Sequence, residues 1–219
     1  MSNDREETKA RQFLQQAYQV NGNDEIDVFY DRWATDYDDQ METGLGYQSP
    51  QKVASLLSGH CQPTTRVLDV GCGTGLAAKW LYEMGYTNID GIDLSVAMIE
   101  VARERDIYSN LFQMDLLQPL PLENESYGAL MCTGTFTHGH VDATPLTELS
   151  RILSPGGVFA FTVHRDLWLE QGFEEKLAEL HQAGRLCEVQ RKPGSYFSEG
   201  PEEGWFCIYR KPPSTTGSL

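Results

Sequence analysis

The sequence predicts an α/β fold, with a mostly parallel sheet, helices on both faces and an antiparallel hairpin at the C-terminal end. From Arg66 to Val163, short apolar segments of strand length alternate with amphipathic helical patterns, the order expected of parallel strands joined by helices. Near the end, two strand-like segments flank a stretch rich in Pro, Gly and Ser. A length of 219 residues suits one well-cored domain.

Each predicted element follows from its local pattern. Strands are predicted near 66–70, 88–93, 111–114, 127–132 and 157–163, with helices near 75–84, 95–104 and 146–153. A further helix is predicted at 173–183, and strands at 186–191 and 205–210 complete seven strands. Before the sheet, apolar residues at helical spacing predict helices at 6–19 and 26–41. Ser49 is expected to cap a third helix with Pro50 at its first position.

Composition limits the kinds of partner. Lysine and arginine total 17 against 32 acids, a formal net charge of -15, which argues against nucleic acid as the main partner and against adsorption to an anionic membrane. The polar start lacks the apolar stretch of a secretory signal, and no run has the length of a bilayer span. We therefore expect a cytoplasmic, or else nuclear, protein, and a monomer.

The cysteines predict neither disulfides nor a metal site. They are five in number and scattered, without a CxxC pair or a spacing typical of zinc. We expect reduced thiols at Cys61, Cys72, Cys132, Cys187 and Cys207.

A glycine-rich turn follows the first predicted strand and begins a helix. Gly71, Gly73 and Gly75 leave backbone N–H groups and the positive end of the helix dipole facing a ligand. Dinucleotide-binding folds use a similar turn to bind a pyrophosphate. The turn alone therefore leaves the ligand open, and a tight turn without a ligand is the simplest alternative.

Two details favour S-adenosylmethionine (SAM) over a dinucleotide. Leu76 stands where the dinucleotide fingerprint has its third glycine. Asp69, two residues before the first glycine, would oppose a pyrophosphate but suits the cationic amino group of a methionine moiety.

The segment Val67-Leu68-Asp69-Val70-Gly71-Cys72-Gly73-Thr74-Gly75 resembles the corresponding segment of class I SAM-dependent methyltransferases, and the resemblance covers approximately 29–210. The N-terminal segment 30–38 and the C-terminal hairpin resemble the Williams-Beuren region methyltransferase-like proteins. The resemblance implies a Rossmann-like sheet, SAM as cofactor and S-adenosylhomocysteine as product. It also implies helices at 1–60 that cover the cofactor site and a catalytic core at 61–211. The tail at 212–219 has little apolar surface to bury, which predicts disorder.

Downstream acids complete the predicted cofactor site. Asp93 ends the second predicted strand, 18 residues after Gly75, where a carboxylate accepts hydrogen bonds from ribose hydroxyls. That spacing also fits NAD, and Ser95 is the expected cap of the next helix. By resemblance, Leu94 and Met98 lie against the adenine, and Asp115, between Met114 and Leu116, accepts a hydrogen bond from its exocyclic amine. A loop-capping role is the alternative for Asp115.

The segment after the fourth predicted strand is the predicted acceptor side of the site. Besides Gly71, Cys72, Gly73 and Gly75, Thr133 is a predicted cofactor contact. His138 and His140 are candidates for a general base because imidazole titrates near neutral pH. A metal site would need a third ligand, which the spacing does not supply. An exposed polar loop is the alternative.

Tyr30, Trp33 and Tyr37 share one face of the second predicted helix. Core packing explains such a stripe by itself. The resemblance implies instead that Trp33 and Tyr37 lie near the methylsulfonium, where a cation is attracted to ring faces.

Two further functions stay open at this point. A non-catalytic SAM-binding sensor or scaffold protein would have the same cofactor site, whereas an enzyme needs an open acceptor pocket beside the sulfonium. An NAD-dependent oxidoreductase is disfavoured by the missing third glycine. We therefore expect a methyltransferase acting on a small molecule or else a protein.

Overall fold

The computed structural model describes residues 2–17, 23–137 and 141–214. Its centre is a seven-stranded sheet in the order β3-β2-β1-β4-β5-β7-β6. The first five strands pair in parallel, and β7 lies antiparallel between β5 and β6, which confirms the predicted fold. The strands are β1 Val67–Val70, β2 Ile89–Asp93, β3 Asn110–Gln113, β4 Tyr127–Phe136, β5 Leu153–His164, β6 Cys187–Gly194 and β7 Gly204–Arg210.

The helices fall close to the predicted positions. They are α1 Ser2–Ala17, α2 Asn23–Asp38, a π-helix Asp39–Gly44, α3 Ser49–Ser58, α4 Leu76–Glu83, α5 Val96–Glu104, α6 Leu146–Ile152, α7 Arg165–Glu170 and α8 Phe173–Gln182. The π-helix and the six-residue α7 were not predicted. None of the helices in the described part of the chain is long and apolar enough to span a bilayer.

The predicted cap of α3 is wrong. Gln48 is the cap residue, and Ser49 is the first helical residue. The Ser49 hydroxyl donates instead to the backbone carbonyl of Tyr196 at 3.4 Å. The backbone N–H groups of Gln48 and Ser49 donate to the same carbonyl at 2.8 and 3.2 Å. The start of α3 is therefore fixed by the connection between β6 and β7.

Both faces of the sheet are covered, because successive strand residues point to opposite sides. Leu68 and Leu130 pack on one face in a cluster that includes Leu177 of α8. Val67 packs on the other face in a cluster that includes Val53 of α3. This alternation explains why the central strands are apolar almost without interruption.

A buried carboxylate joins the strands at the amino-terminal side of the sheet. Asp90 of β2 is completely buried and accepts two hydrogen bonds from the Arg66 guanidinium, at 2.8 and 3.1 Å. The Tyr127 hydroxyl of β4 and the Asn110 amide of β3 donate to it at 3.0 and 2.8 Å. Removing the carboxylate would leave these donors without an acceptor.

We expect Asp90→Ala to lower the free energy of unfolding by about 3 kcal/mol, because the buried Tyr127 hydroxyl loses its partner. Urea denaturation measures the change. The matched control is Asp106→Asn, since Asp106 is exposed and has a φ of 53° that asparagine tolerates. The control should stay within about 0.5 kcal/mol of the wild type. A loss below about 1 kcal/mol for Asp90→Ala would contradict a structural role for this network.

Candidate active site

The strand order places the ends of β1, β2 and β4 side by side, because β1 lies between the other two. A cavity of about 120 Å³, called here the main cavity, opens at this carboxyl edge, where open α/β sheets bind ligands. The lining residues are Tyr30, Tyr37, Gly71, Gly73, Asp93, Leu94, Met98, Met114, Asp115, Leu116, Thr133, Gly134, Thr135 and Val141.

The glycine turn after β1 forms one wall of the main cavity. Gly71 and Gly73 have φ angles of +66° and +53°, which favour glycine. A Cβ at Gly71 would lie 2.2 Å from the Thr135 hydroxyl oxygen, so the turn packs against β4. A Cβ at Gly73 would meet no atom within 4 Å and would project into open space. The turn therefore leaves room for a ligand next to the Gly73 backbone.

Asp93 fixes this turn from the end of β2. Its Oδ2 accepts the Gly73 N–H at 2.7 Å, and its Oδ1 accepts the Ser95 N–H at 3.0 Å. Each carboxylate oxygen can accept more than one hydrogen bond, so the side chain can hold the turn and contact a ligand in the main cavity. Ser95 caps α5 as predicted, because its Oγ accepts the Met98 N–H at 3.1 Å.

Asp69 lies behind the turn, on a smaller cavity of about 40 Å³ that is also lined by Gly71, Cys72, Gly73 and Thr133. This is called the glycine-loop cavity. Burial raises the pKa of Asp69 to about 7; a hydrogen bond from the Tyr108 hydroxyl, at 2.8 Å, opposes the rise, and the negative charge of Asp93 adds to it. A buried carboxylate of this kind gains most from a cationic partner. Burial also raises the pKa of the neighbouring Cys72 thiol.

Another part of the lining of the main cavity is mainly apolar. Together with Asp115, it consists of Leu94, Met98, Met114 and Leu116. Asp115 Oδ1 accepts the Leu117 N–H at 2.8 Å, so it caps a turn and also faces the cavity. The predicted adenine residues are therefore brought together around one space.

Acidic side chains hold the N-terminal helices against the core. Asp31 of α2 accepts the Ser95 hydroxyl at 2.7 Å and the Ala97 N–H at 3.2 Å. Asp38, at the end of α2, accepts hydrogen bonds from the Thr74 hydroxyl and the Arg105 guanidinium. These contacts place α2 over the glycine turn, where Tyr30 and Tyr37 line the main cavity.

Some predicted site residues lie apart from the main cavity. Trp33 has an exposed fraction of 1% and stacks with Phe13 and Tyr30, at ring-centroid distances of 5.5 and 5.9 Å. Gly75 is the cap residue of α4 and does not line the main cavity either.

His138 and His140 lie outside the described residues. Within 2–17, 23–137 and 141–214, no group of three or more His, Cys, Asp or Glu side chains is arranged to hold a metal ion.

The structure adds residues to the cavity that were not among the predicted cofactor contacts. β4 continues to Phe136, beyond the predicted end at 132, because Phe136 pairs with Val163 of β5 after an irregularity that follows Cys132. Within this irregular part the Gly134 N–H donates to the Thr162 hydroxyl at 3.2 Å. This brings Gly134 and Thr135 into the lining. Tyr30 also lines it, and its place on the face of Tyr37 is a signal that could have identified it. No local signal marks Asp31 or Asp38.

Comparison with known proteins agrees with the fold and the glycine turn. A family described as a methyltransferase domain matches residues 68–161. Human Methyltransferase-like protein 27 is 34% identical over 163 residues, which cover 71% of this chain and 66% of that protein. The chain spans about two thirds or less of the length of the curated relatives that it matches.

Solved structures share the architecture at lower identity. The cyclase SpnF is 19% identical with a TM-score of 0.67, covering 89% of this chain and 97% of that chain. A SAM-dependent methyltransferase from Mesorhizobium loti is 19% identical with a TM-score of 0.54, covering 71% of this chain and 96% of that chain. These likenesses show the fold alone. The family match and the human relative, beyond the shared fold, show that the chain belongs to the class I SAM-dependent methyltransferases, whose cofactor is SAM.

Proposed function

We propose that this chain transfers the methyl group of SAM to an acceptor, which is a small molecule or else a protein. The observation that carries the proposal is the open space beside Gly73, into which a Cβ would project without meeting an atom within 4 Å and which Asp93 borders. A polar group of β4 also supports the proposal. Thr133 lines the main cavity, and its Oγ1 is buried and has no hydrogen-bond partner among the described residues.

Each part of the cofactor has matching residues. The Asp93 carboxylate suits the ribose hydroxyls, and the turn from Gly71 to Gly75, with Cys72, Asp69 and Thr133, suits the methionine part. An apolar surface and the Asp115 carboxylate suit the adenine and its amine; the residues of that surface are Leu94, Met98, Met114 and Leu116. Tyr37 lines the main cavity, the glycine-loop cavity and a third cavity that adjoins the main one, a position that favours its predicted role near the sulfonium. Trp33 would support Tyr37 from behind, because it packs against the Tyr37 ring with 4.8 Å between the ring centroids.

Bound SAM supplies an already activated methyl group, so the reaction requires no protein nucleophile. The residues of this chain orient donor and acceptor and exclude water, which contributes up to roughly 7 to 11 kcal/mol in favourable cases. The general-base role of His138 and His140 stays a prediction.

A non-catalytic SAM-binding protein is the main alternative. It would need no free space on the acceptor side of the cofactor. A further cavity, lined by Tyr30, Tyr37 and Gly134 among others, adjoins the main cavity. Its presence favours an enzyme.

We expect S-adenosylhomocysteine to bind in calorimetry, and Asp93→Asn to weaken this binding at least about 100-fold. The substitution removes the charge that both strengthens the ribose hydrogen bonds and fixes the Gly73 N–H. Asp106→Asn is again the matched control and should leave the affinity unchanged. No heat with either SAM or S-adenosylhomocysteine would refute the proposed function.

We also expect the affinity for S-adenosylhomocysteine to rise about tenfold between pH 6 and pH 8. A pKa near 7 leaves Asp69 mostly protonated at pH 6, whereas the cationic amino group of the ligand prefers the ionised form. In Asp69→Asn the affinity should be weaker at pH 8 and nearly independent of pH. Calorimetry in buffers of different ionisation enthalpy measures the proton release. Equal pH dependence in both proteins would exclude Asp69 as the partner of that group.

The same shift makes Asp69→Asn more stable than the wild type at pH 8 in the absence of ligand. Folding raises the pKa of Asp69 from 3.8 to about 7. Between these values the folded state holds a proton that the unfolded state has lost, so stability falls as pH rises. The difference between the two proteins should grow over this range to at most about 4 kcal/mol. Urea denaturation at pH 5 and pH 8 measures it, and a constant difference would contradict the linkage.

A further inference from the structure

A third cavity, called the aromatic cavity, lies between the N-terminal helices, the end of β4 and the connection between β6 and β7. The residues that line it are Leu14, Tyr30, Trp33, Tyr37, Met41, Tyr47, Gly134, Thr137, Tyr196 and Phe197. Tyr30, Tyr37 and Gly134 also line the main cavity, so the two spaces share a wall. Counted with the space at its open mouth, the aromatic cavity has a volume of about 380 Å³ against about 770 Å³ for the main cavity, so it suits the smaller ligand.

The described residues that line the aromatic cavity are uncharged. None of them is an aspartate, glutamate, lysine, arginine or histidine. A charged group placed there would lose its hydration without gaining an ionic partner from these residues. Aromatic rings attract another ring in edge-to-face or offset geometry. The lining therefore favours an uncharged molecule that contains a ring.

One polar group in the lining has no partner in the described part of the chain. Thr137 follows the end of β4 and has an exposed fraction of 7%. Its Oγ1 is buried and has no hydrogen-bond partner among the described residues. A buried hydroxyl without a partner costs about 1 to 3 kcal/mol. A ligand that offers a hydrogen-bonding group at this place would recover that energy.

The walls of the aromatic cavity are held in place. Tyr47 and Phe197 pair as an isolated β-bridge, with ring centroids 5.5 Å apart. A Cβ at Gly134 would lie 2.9 Å from the Tyr47 hydroxyl oxygen, so the glycine permits this close approach. The Lys52 ammonium donates to the Ser195 carbonyl at 2.8 Å. These contacts join the N-terminal part of the wall to the C-terminal part.

We propose that the aromatic cavity binds the methyl acceptor, that the acceptor is a small uncharged aromatic molecule with a hydroxyl group, and that Thr137 hydrogen-bonds to this hydroxyl. The inference rests on the proposed function. In the transfer, the acceptor oxygen forms a bond to the methyl carbon as the bond between that carbon and the sulfonium sulfur breaks. Both electrons of the broken bond stay on sulfur, which becomes an uncharged thioether, and the hydroxyl proton passes to water.

The ligand test uses three compounds of similar size with different charge. In the presence of saturating S-adenosylhomocysteine at pH 7, binding of 4-methylphenol, benzylamine and benzoate is measured by ligand-observed NMR titration. We expect saturable binding of 4-methylphenol that is at least ten times tighter than that of the benzylamine cation or the benzoate anion. Equal or tighter binding of either ion, or no saturable binding of 4-methylphenol, overturns the inference.

The variant test isolates the hydroxyl. Thr137→Val keeps the shape of the side chain and should weaken 4-methylphenol about tenfold, with the affinity for S-adenosylhomocysteine within twofold of the wild type. Toluene, which lacks the hydroxyl, should bind both proteins equally. Thr87→Val is the matched control, because Thr87 is exposed and precedes β2 at the opposite edge of the sheet. An equal loss of 4-methylphenol and toluene would show a change of shape and overturn the role of Thr137.

The two proposals fail in different ways. If S-adenosylhomocysteine does not bind the wild type, the proposed function is wrong. If it binds and 4-methylphenol does not, only the acceptor class is wrong.

Discussion

The hydrogen bond from the Gly73 N–H to the Asp93 carboxylate is the contact on which the site depends. At 2.7 Å it joins the turn after β1 to the end of β2, and the second carboxylate oxygen holds the start of α5. One side chain thus sets the positions of the glycine turn, of the capping Ser95 and of the cavity between them. Because β1 and β2 are adjacent in the sheet, no long side chain is needed to span the gap.

Several of the acidic residues of the chain hold its N-terminal segment against the core. Asp31, Asp38 and Glu42 all belong to the N-terminal segment, and each accepts a hydrogen bond from the core or pairs with it. Their partners include Arg105 and Lys79. The overall charge predicted which partners to exclude, but it did not predict that N-terminal acids would hold the helices beside the main cavity. Such pairings depend on which surfaces meet, and a charge count contains no information on that.

Patterns within one element predicted most of the fold. The glycine turn, the alternation of strands and helices and the Ser95 cap all depend on neighbouring residues, so the sequence displays them directly. Beyond Cys132, by contrast, threonines and a glycine suggested a loop, yet pairing with β5 extends the strand to Phe136. Ser49 looked like a cap and instead donates its hydrogen bond to a carbonyl in the C-terminal hairpin.

The predicted aromatic stripe shows the limit of a helical pattern. Trp33 and Tyr37 share a face, but Trp33 is buried among other rings and lines the aromatic cavity alone, whereas Tyr37 also lines the main cavity. A pattern identifies the face that turns inward and does not distinguish packing from ligand contact. The aromatic cavity was beyond prediction for a related reason, since its walls come from both ends of the chain.

The hydrogen bonds to the Tyr196 carbonyl limit the order in which the chain can fold during translation. This carbonyl accepts hydrogen bonds from Gln48 and Ser49, and these two residues leave the ribosome long before Tyr196. During translation, the glycine turn and the end of β2 can meet early, whereas the wall formed by Tyr47 and Phe197 cannot form until the connection between β6 and β7 has emerged. A nascent chain would thus complete the turn beside the main cavity before the walls of the aromatic cavity.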